Sequence, residues 1–403
     1  MNRRVSYRFA GVDLELDLSL GLFSSAGVDA GSRLLLKTLA KECPLDSPGR
    51  ILDVGCGVGS LGLALAARSP ASEVTLVDRD ELAVAFTRRN AALNGLENTV
   101  VAGRLMLEGP HSSPYDLIVS NFPAKAGEPV LADYLAGSMD RLAPDGRAAL
   151  VIVHTLADRC RELLDEVGAA VLHRESSKQH TVYHYRPKDG ISRSDSVDLD
   201  ADEASEDALL APYIRRSGEF KLHRTRYRAE TVWNIPDFDT LSWRLDLIGG
   251  LLDRLPRSGS LMFWNPGQGH LPTAIAGRRG AGPTRIILAG RDRLELLISR
   301  RNTANAASGA PVDIEAAADP AFLNDRLEPG TVDLLVSDLH PVPRTDWSRS
   351  LKDLADRVVR NGGEWALVGR SSDAATLLKT TRGWSPGPDR RTRGWRAAIL
   401  RKN

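Results

Sequence analysis

The chain repeats itself. Residues 49–59, GRILDVGCGVG, align with residues 259–269, GSLMFWNPGQG, at an offset of 210, and the same offset pairs Asp29 and Ser32 with Asp239 and Ser242. Further on, DRDELAVAFTRRNAALNG (78–95) echoes GRDRLELLISRRNTANAASG (290–309), and YDLIVSNFPA (115–124) echoes VDLLVSDLHP (332–341). LAPDGRAALVIV (142–153) likewise echoes VRNGGEWALVGR (359–370). Blocks that recur in one order, with the offset moved only by short insertions, mark two copies of one fold. A chain of 403 residues is also too long for one compact core.

Within each copy, short apolar runs rich in β-branched residues alternate with segments of helical periodicity. In the first copy the expected strands are RILDVG, EVTLVD, NTVVAG, YDLIVSN and RAALVIV, with helices over 60–68 and 81–94 and a closing hairpin within 169–186. Such alternation predicts an α/β fold, a mostly parallel sheet flanked by helices, present twice in tandem. Residues 186–212 are polar, acidic and poor in large apolar side chains, a composition that buries too little surface to offset chain entropy. The expected organisation is a domain over 1–187, a flexible acidic linker over 188–211 and a second domain over 212–403.

Bulk properties narrow the class. The net charge is +1, which neither requires nor excludes a nucleic-acid partner, since a local basic patch can sit on a neutral protein. Three scattered cysteines imply neither a disulfide framework nor a metal cluster, and no metal is expected. No stretch approaches the roughly 20 apolar residues that span a bilayer, and the N-terminal residues lack the apolar core of a signal peptide. The expected location is the cytoplasm, without a membrane partner, as a monomer or weak homodimer.

ILDVGCGVGSLGLALA reads as strand, glycine-rich turn and helix. Gly55, Gly57 and Gly59 permit positive φ and close approach of a ligand to backbone amides at a helix N-terminus. Glycine turns of this kind also serve dinucleotides, so the flanking carboxylates matter. Asp53 precedes the first glycine in a D-x-G-x-G-x-G pattern, and Asp78 ends the next strand, VTLVD. This combination resembles motif I and the following acidic position of class I S-adenosylmethionine-dependent methyltransferases. The resemblance implies that Asp53 lies near the methionine end of the cofactor, Asp78 holds the ribose hydroxyls with Arg79 beside it, and Gly55, Cys56, Gly57 and Gly59 form the turn. Cys56 reads as a small packed side chain rather than a nucleophile. After the third strand an adenine-reading acid is missing from its usual position, and the backbone of Arg104 and Leu105 is expected there instead.

The segment GLFSSAGVDAGSRLLLKTL (21–39), with Phe23, Ser24, Asp29, Gly31 and Ser32, resembles the segment before motif I in two-domain bacterial ribosomal RNA guanine-N2 methyltransferases. Together with the cofactor motifs the likeness covers most of residues 20–160. It implies one active and one degenerate copy, although here the intact copy comes first, whereas in that family's best-known members the degenerate copy leads. It also gives a meaning to SNFPA. In the related Asn-Pro-Pro-aromatic motif, the Asn oxygen and the next carbonyl accept hydrogen bonds from the target amine. Asn121 preserves the first acceptor and lies within reach of the cofactor, Phe122 offers the second, and Pro123 keeps the segment rigid. Ala124 replaces the stacking ring, leaving that role to Phe23 or to the second domain. Phe23, Ser24 and Ser32 are expected at the substrate.

In the second copy Asp53 becomes Phe263, Gly55 becomes Asn265, Cys56 becomes Pro266, Asp78 becomes Gly290 and Asn121 becomes Asp338. This copy reads as non-catalytic, with Phe263 and Trp264 crowding the cofactor position. Two basic stretches offer cations for phosphates and rings for unpaired bases. One, 213–228, has Arg215, Arg216, Lys221, Arg224, Arg226 and Arg228 with Tyr213, Phe220 and Tyr227; the other, 389–403, has Arg390, Arg391, Arg393, Trp395 and Arg396. A solvated basic edge explains either stretch alone nearly as well. The expected function is S-adenosylmethionine-dependent methylation of a guanine amine in ribosomal RNA, on the free RNA or a ribosomal subunit. Two alternatives stay open: methylation of a small molecule or protein side chain, and a non-catalytic RNA-binding or assembly factor that retains the cofactor.

Overall fold

The structure is a computed structural model that describes residues 3–23, 27–45, 49–109, 113–188 and 205–403. It divides into two units, Met1–Tyr213 and Ile214–Asn403.

The first unit opens with a hairpin, β1 (Arg3–Phe9) and β2 (Val12–Leu18), followed by α1 (Ala30–Glu42). The sheet strands and their helices follow as β3 (Arg50–Val54), α2 (Gly62–Arg68), β4 (Glu73–Asp78), α3 (Glu81–Leu93), β5 (Thr99–Gly103), β6 (Tyr115–Asn121), α4 (Glu128–Asp140), β7 (Leu142–Val153), α5 (Ala157–Glu166), β8 (Ala169–Ser176) and β9 (His180–Pro187). The strand order is β5-β4-β3-β6-β7-β9-β8. β3, β4, β5, β6 and β7 pair in parallel, and the β8–β9 hairpin closes the edge antiparallel. Leu52, Val54, Ile118 and Val119 are buried because helices cover both faces, which is why these strands read as continuous apolar runs. The order reverses beside β3, so the crevice at the carboxyl ends of β3, β4 and β6 is where such a sheet receives a ligand.

α1 begins where Asp29 caps it: its carboxylate accepts from the Gly31 amide at 2.9 Å and the Ser32 amide at 3.1 Å. Leu35, Leu36 and Leu39 then bury one stripe against the sheet. Truncating one of them to alanine costs about 2–5 kcal/mol.

The N-terminal hairpin was not among the expected elements, although Val5, Tyr7 and Phe9 alternate with polar residues, as do Leu14, Leu16 and Leu18. It turns on Ala10 and Gly11, both at positive φ. Asn90 of α3 anchors it, accepting from the Asp17 amide at 2.8 Å while donating to the Val58 carbonyl at 2.8 Å. Buried Asp17 pairs with Arg4 and Arg89 at 2.8 and 2.7 Å.

The expected linker needs correction at its C-terminal end. Residues 189–204 lie outside the described residues, but α6 (Glu206–Leu210) is a capped helix, and Leu210 and Tyr213 are buried in the first unit.

The second unit repeats the plan: hairpin β10 (Ile214–Leu222) and β11 (Thr225–Val232), α7 (Trp243–Gly249), β12 (Gly259–Trp264), α8 (His270–Ala276), β13 (Pro283–Gly290), α9 (Arg293–Ala306) and β14 (Val312–Ala316). Then come β15 (Val332–Asp338), α10 (Trp347–Val358), β16 (Val359–Arg370), α11 (Ser371–Leu378), β17 (Trp384–Thr392) and β18 (Trp395–Lys402). Its order, β14-β13-β12-β15-β16-β18-β17, is that of the first sheet strand for strand. Asn302 of α9 holds the Glu230 backbone of β11 and the Gln268 carbonyl of the turn, as Asn90 does in the first unit. The duplicated fold expected from the repeat is the fold found.

Candidate active site

Three adjacent strands of the first unit end in polar side chains around one glycine turn. Asp53, in β3, is fully buried; its Oδ2 accepts from the Gly62 amide of α2 at 2.7 Å, and its Oδ1 is buried without a partner. Burial raises its pKa to about 7. Asp78, ending β4, accepts from the Gly57 amide at 2.9 Å through Oδ2 and from the Asp80 amide at 2.9 Å through Oδ1. Burial outweighs these bonds and raises its pKa to about 6.

The turn itself needs glycine. Gly55, Gly57 and Gly59 have φ of 75°, 59° and 87°. A Cβ built on Gly55 or Gly57 meets nothing within 4 Å, whereas one on Gly59 would strike Leu63. The first two glycines therefore face open space and the third serves packing. Cys56 is buried beside Thr87, and burial pushes its thiol pKa well above the usual value, as expected of a packed side chain. Thr87 donates to the Gly57 carbonyl at 2.9 Å. This support of the turn by α3, through Thr87 and Asn90, went unread in the sequence, yet its signal is there: TRRN at 87–90 recurs as SRRN at 299–302.

Asn121 ends β6, and its Nδ2 donates to Asp29 Oδ1 and Ser32 Oγ, each at 3.1 Å. Phe122 is buried against Tyr134, ring centroids 5.4 Å apart, so its ring belongs to the core, and its amide donates to the Val151 carbonyl at 3.0 Å. Pro123 is exposed, and its carbonyl accepts from the Ala126 amide at 3.0 Å. Phe23 is 76% exposed. Ser24 lies outside the described residues.

Several expectations change. Ser32, expected at the substrate, is 2% exposed and bonds to Asp29 and Asn121 instead. Of the backbone groups expected near adenine, two amides have partners within the chain: that of Arg104 donates to the Asp78 carbonyl at 2.9 Å, and that of Leu105 to the Glu108 carboxylate at 2.8 Å. Arg79 is half-buried beside Asp78. The rings of the first basic stretch are core: Phe220 and Tyr227 are buried because alternation along β10 and β11 turns them inward, and Tyr213, which precedes β10, is buried in the N-terminal unit. Arg215 is sandwiched by Trp233 and Phe238 and paired with Asp239 at 2.6 Å. Arg226 pairs with Glu219 at 3.0 Å, while Arg224 stands exposed near the hairpin turn. In the second stretch Arg396 pairs with Asp389, Arg370 lies over Trp395, and Arg393 lies 3.6 Å over the half-exposed Trp243.

In the second unit the matching place is altered. Phe263, at the position of Asp53, joins the apolar core on one face of the sheet and does not enter a pocket, whereas Trp264 packs on the other face and lines a cavity with Asn265, Arg291 and Leu339. Asp338, at the position of Asn121, is bound at 2.9 Å by buried Arg244, which also holds Asp237 at 2.9 Å and His340 at 2.6 Å. Among the described residues no group of three or more His, Cys, Asp or Glu side chains could hold a metal, and no helix is long and apolar enough to cross a membrane.

Residues 13–184 match the model of the Methyltransferase small domain family. The chain is 43% identical over 107 residues to ribosomal RNA small subunit methyltransferase C of Salmonella choleraesuis, covering 27% of this chain and 30% of that protein. It is 40% identical over 157 residues to the protein of the same name from Pseudomonas aeruginosa, covering 37% of this chain and 44% of that one. The matches thus span less than half the length of these relatives. A T. thermophilus 16S rRNA N2-guanine methyltransferase, solved with AdoMet and guanosine, superposes with a TM-score of 0.64 at 18% identity over 100% of this chain and 98% of that one, which shows a shared fold. The likeness to the Methyltransferase small domain family thus lies in residues 13–184, most of the first unit.

Proposed function

We propose that the first unit is an S-adenosylmethionine-dependent methyltransferase that modifies a guanine exocyclic amine in small-subunit ribosomal RNA, and that the second unit docks substrate without chemistry of its own. The observation that carries the reading is that Asp53, Asp78 and Asn121 lie at the ends of three adjacent strands beside a turn whose Gly55 and Gly57 face open space. The donor set suits the cofactor: the unpartnered Asp53 Oδ1 offers an acceptor for an ammonium group, and Asp78 offers one for ribose hydroxyls. When bound, the cofactor supplies an electrophilic methyl group.

This chain's residues then have little acid–base work to do, and positioning provides much of the acceleration. Asn121 Oδ1 and the Phe122 carbonyl hold the amine hydrogens and leave the nitrogen lone pair for the methyl carbon. The related proteins from Salmonella and Pseudomonas are named for small-subunit rRNA methylation, and the T. thermophilus enzyme for N2 of a guanine; both support this substrate class. Exposed Phe23 is the ring in the first unit best placed by exposure to stack on a base, replacing the one that Ala124 removes.

Labelled methyl transfer onto total RNA, isolated small subunits, protein and small-molecule extract tests the reading. Incorporation into the RNA of the small subunit is expected; label confined to protein or small molecules rejects the substrate. Cofactor binding without transfer to any of them makes the protein a non-catalytic factor. Charge reversal at Arg224 and Arg226 is expected to weaken RNA binding with unchanged cofactor affinity.

A further inference from the structure

An asparagine can serve as an acceptor only if its oxygen, and not its amide nitrogen, faces the substrate, and the two ends have nearly the same shape. Nothing in a strand end dictates the choice. Here the neighbours beneath Asn121 dictate it. Asp29 and Ser32 lie on the first turn of α1, held there by the capping bonds of Asp29 to the Gly31 and Ser32 amides. A Cβ on Gly31 would sit 3.0 Å from Asp29 Oδ1 and 3.0 Å from the His180 ring, so the small residue lets this turn close up.

An ionised carboxylate only accepts hydrogen bonds. The Ser32 hydroxyl therefore donates to Asp29 Oδ2, 2.6 Å away, which leaves the Ser32 oxygen as an acceptor. Asn121 then meets two acceptors, Asp29 Oδ1 and Ser32 Oγ, each at 3.1 Å. Both hydrogens of its NH₂ group are taken up below the strand end, and its Oδ1 is turned the other way. Reversing the amide would set its oxygen against the carboxylate.

We propose that Asp29 and Ser32 are positioning residues that fix the amide polarity of Asn121, so that its oxygen is presented to the target amine. The proposal rests on Asn121 being the amine acceptor of the proposed reaction. The one-way chain of bonds runs from Asn121 through Ser32 to the carboxylate of Asp29. The second unit lacks it: Ser242 caps α7 without a side-chain bond, and Asp338 is gripped by Arg244.

The variants separate this role from helix capping. Asp29→Ser keeps a good capping residue but is too short to reach Asn121, and Ser32→Ala removes the second acceptor. In the full chain, each is expected to lower turnover at saturating cofactor, about 10- to 100-fold for Asp29→Ser, with cofactor affinity within about twofold of the parent. Asn121→Asp alone sets two carboxylates side by side and abolishes transfer at neutral pH. Adding Asp29→Asn keeps the capping oxygen and puts an amide nitrogen in the place of Oδ2. That nitrogen donates to Ser32 Oγ while the Ser32 hydroxyl turns to the new carboxylate at 121, so the chain of bonds runs the other way and part of the turnover is recovered. A purely structural role of Asp29 predicts no such rescue. A readout without substrate accompanies these. In ¹⁵N-labelled protein the side-chain NH₂ signals of Asn121, assigned through Asn121→Ala, exchange slowly with water, and Asp29→Ser makes them exchange fast. Unchanged exchange and unchanged turnover in Asp29→Ser overturn the proposal. If the parent protein transfers no methyl group, the proposed function falls, and the exchange experiment still decides whether the amide is anchored.

Discussion

In the first unit a side chain on Gly55 or Gly57 would project into open space; in the second, Asn265 stands at the Gly55 position with φ 56°, followed by Gly267 at 61° and Gly269 at 82°. The backbone of the turn is the same, and so is the strut behind it, Asn90 in one unit and Asn302 in the other. What differs is the surroundings. Gly57 donates to Asp78, which faces the crevice from β4; Gly267 donates to Glu295, which reaches in from α9. Asp53 is replaced by a core phenylalanine, and the position of Asn121 has become part of a buried ion cluster. The turn and its strut thus recur where the carboxylates do not, because the turn and the strut carry the fold in both units, whereas Asp53 and Asp78 bond only to backbone amides in and beside the first unit's turn.

That contrast can be broken in several ways. The largest effect is expected from Arg244→Met, which leaves Asp237 and Asp338 buried without their cation; losing one partner of a buried pair costs about 3–5 kcal/mol. Denaturant unfolding should show this loss in the second unit while cofactor affinity stays at the parental value. A fall in affinity would mean that the second copy takes part in binding. Next, Asp53→Phe brings the second copy's residue into the first, and calorimetry should register a loss of S-adenosylmethionine affinity of at least about 100-fold, 2.7 kcal/mol. Parental affinity in that variant assigns the cofactor elsewhere.

Gly55→Asn is subtler. Asn265 adopts this left-handed backbone, so the substitution should alter stability by no more than about 1 kcal/mol. Its side chain enters the open space, and affinity should drop roughly tenfold, 1.4 kcal/mol. An unchanged affinity places the ligand away from Gly55.

The smallest effect concerns pH. Asp53 and Asp78 have folded-state pKa values raised by burial to about 7 and about 6, above the unfolded value near 3.8. Their neutral forms stabilise the empty unit fully below that unfolded value, and the contribution is lost as pH rises through 6 to 7. A ligand that donates hydrogen bonds to the carboxylates favours the ionised forms. S-adenosylmethionine should therefore bind a few-fold more tightly at pH 7.5 than at 5.5, with proton release measurable in calorimetry buffers of different ionisation enthalpy. Tighter binding at the lower pH contradicts the roles given to both groups.

Much of this was legible in the chain itself. The repeat, the α/β alternation and the glycine turn with Asp53 and Asp78 depend on local pattern: buried parallel strands must be apolar throughout, and a turn with three positive-φ residues selects glycine. The β1–β2 hairpin was legible in principle, since its apolar residues alternate, but its turn lacks the Asn-Gly signature that draws attention to hairpins. Other features belong to the tertiary structure alone. Whether Tyr213, Phe220 and Tyr227 face solvent or core is decided by what packs on them, and a list of arginines between aromatic residues does not contain that information. The pairing of Arg215 with Asp239, or of Arg244 with Asp338 across 94 positions of sequence, requires the chain to be folded first. The same holds at Asn121. Sequence alone determined that an asparagine ends β6; which way its amide points was decided by Asp29 and Ser32, some 90 residues earlier, because a hydrogen bond has a direction that only the neighbouring groups in space can set.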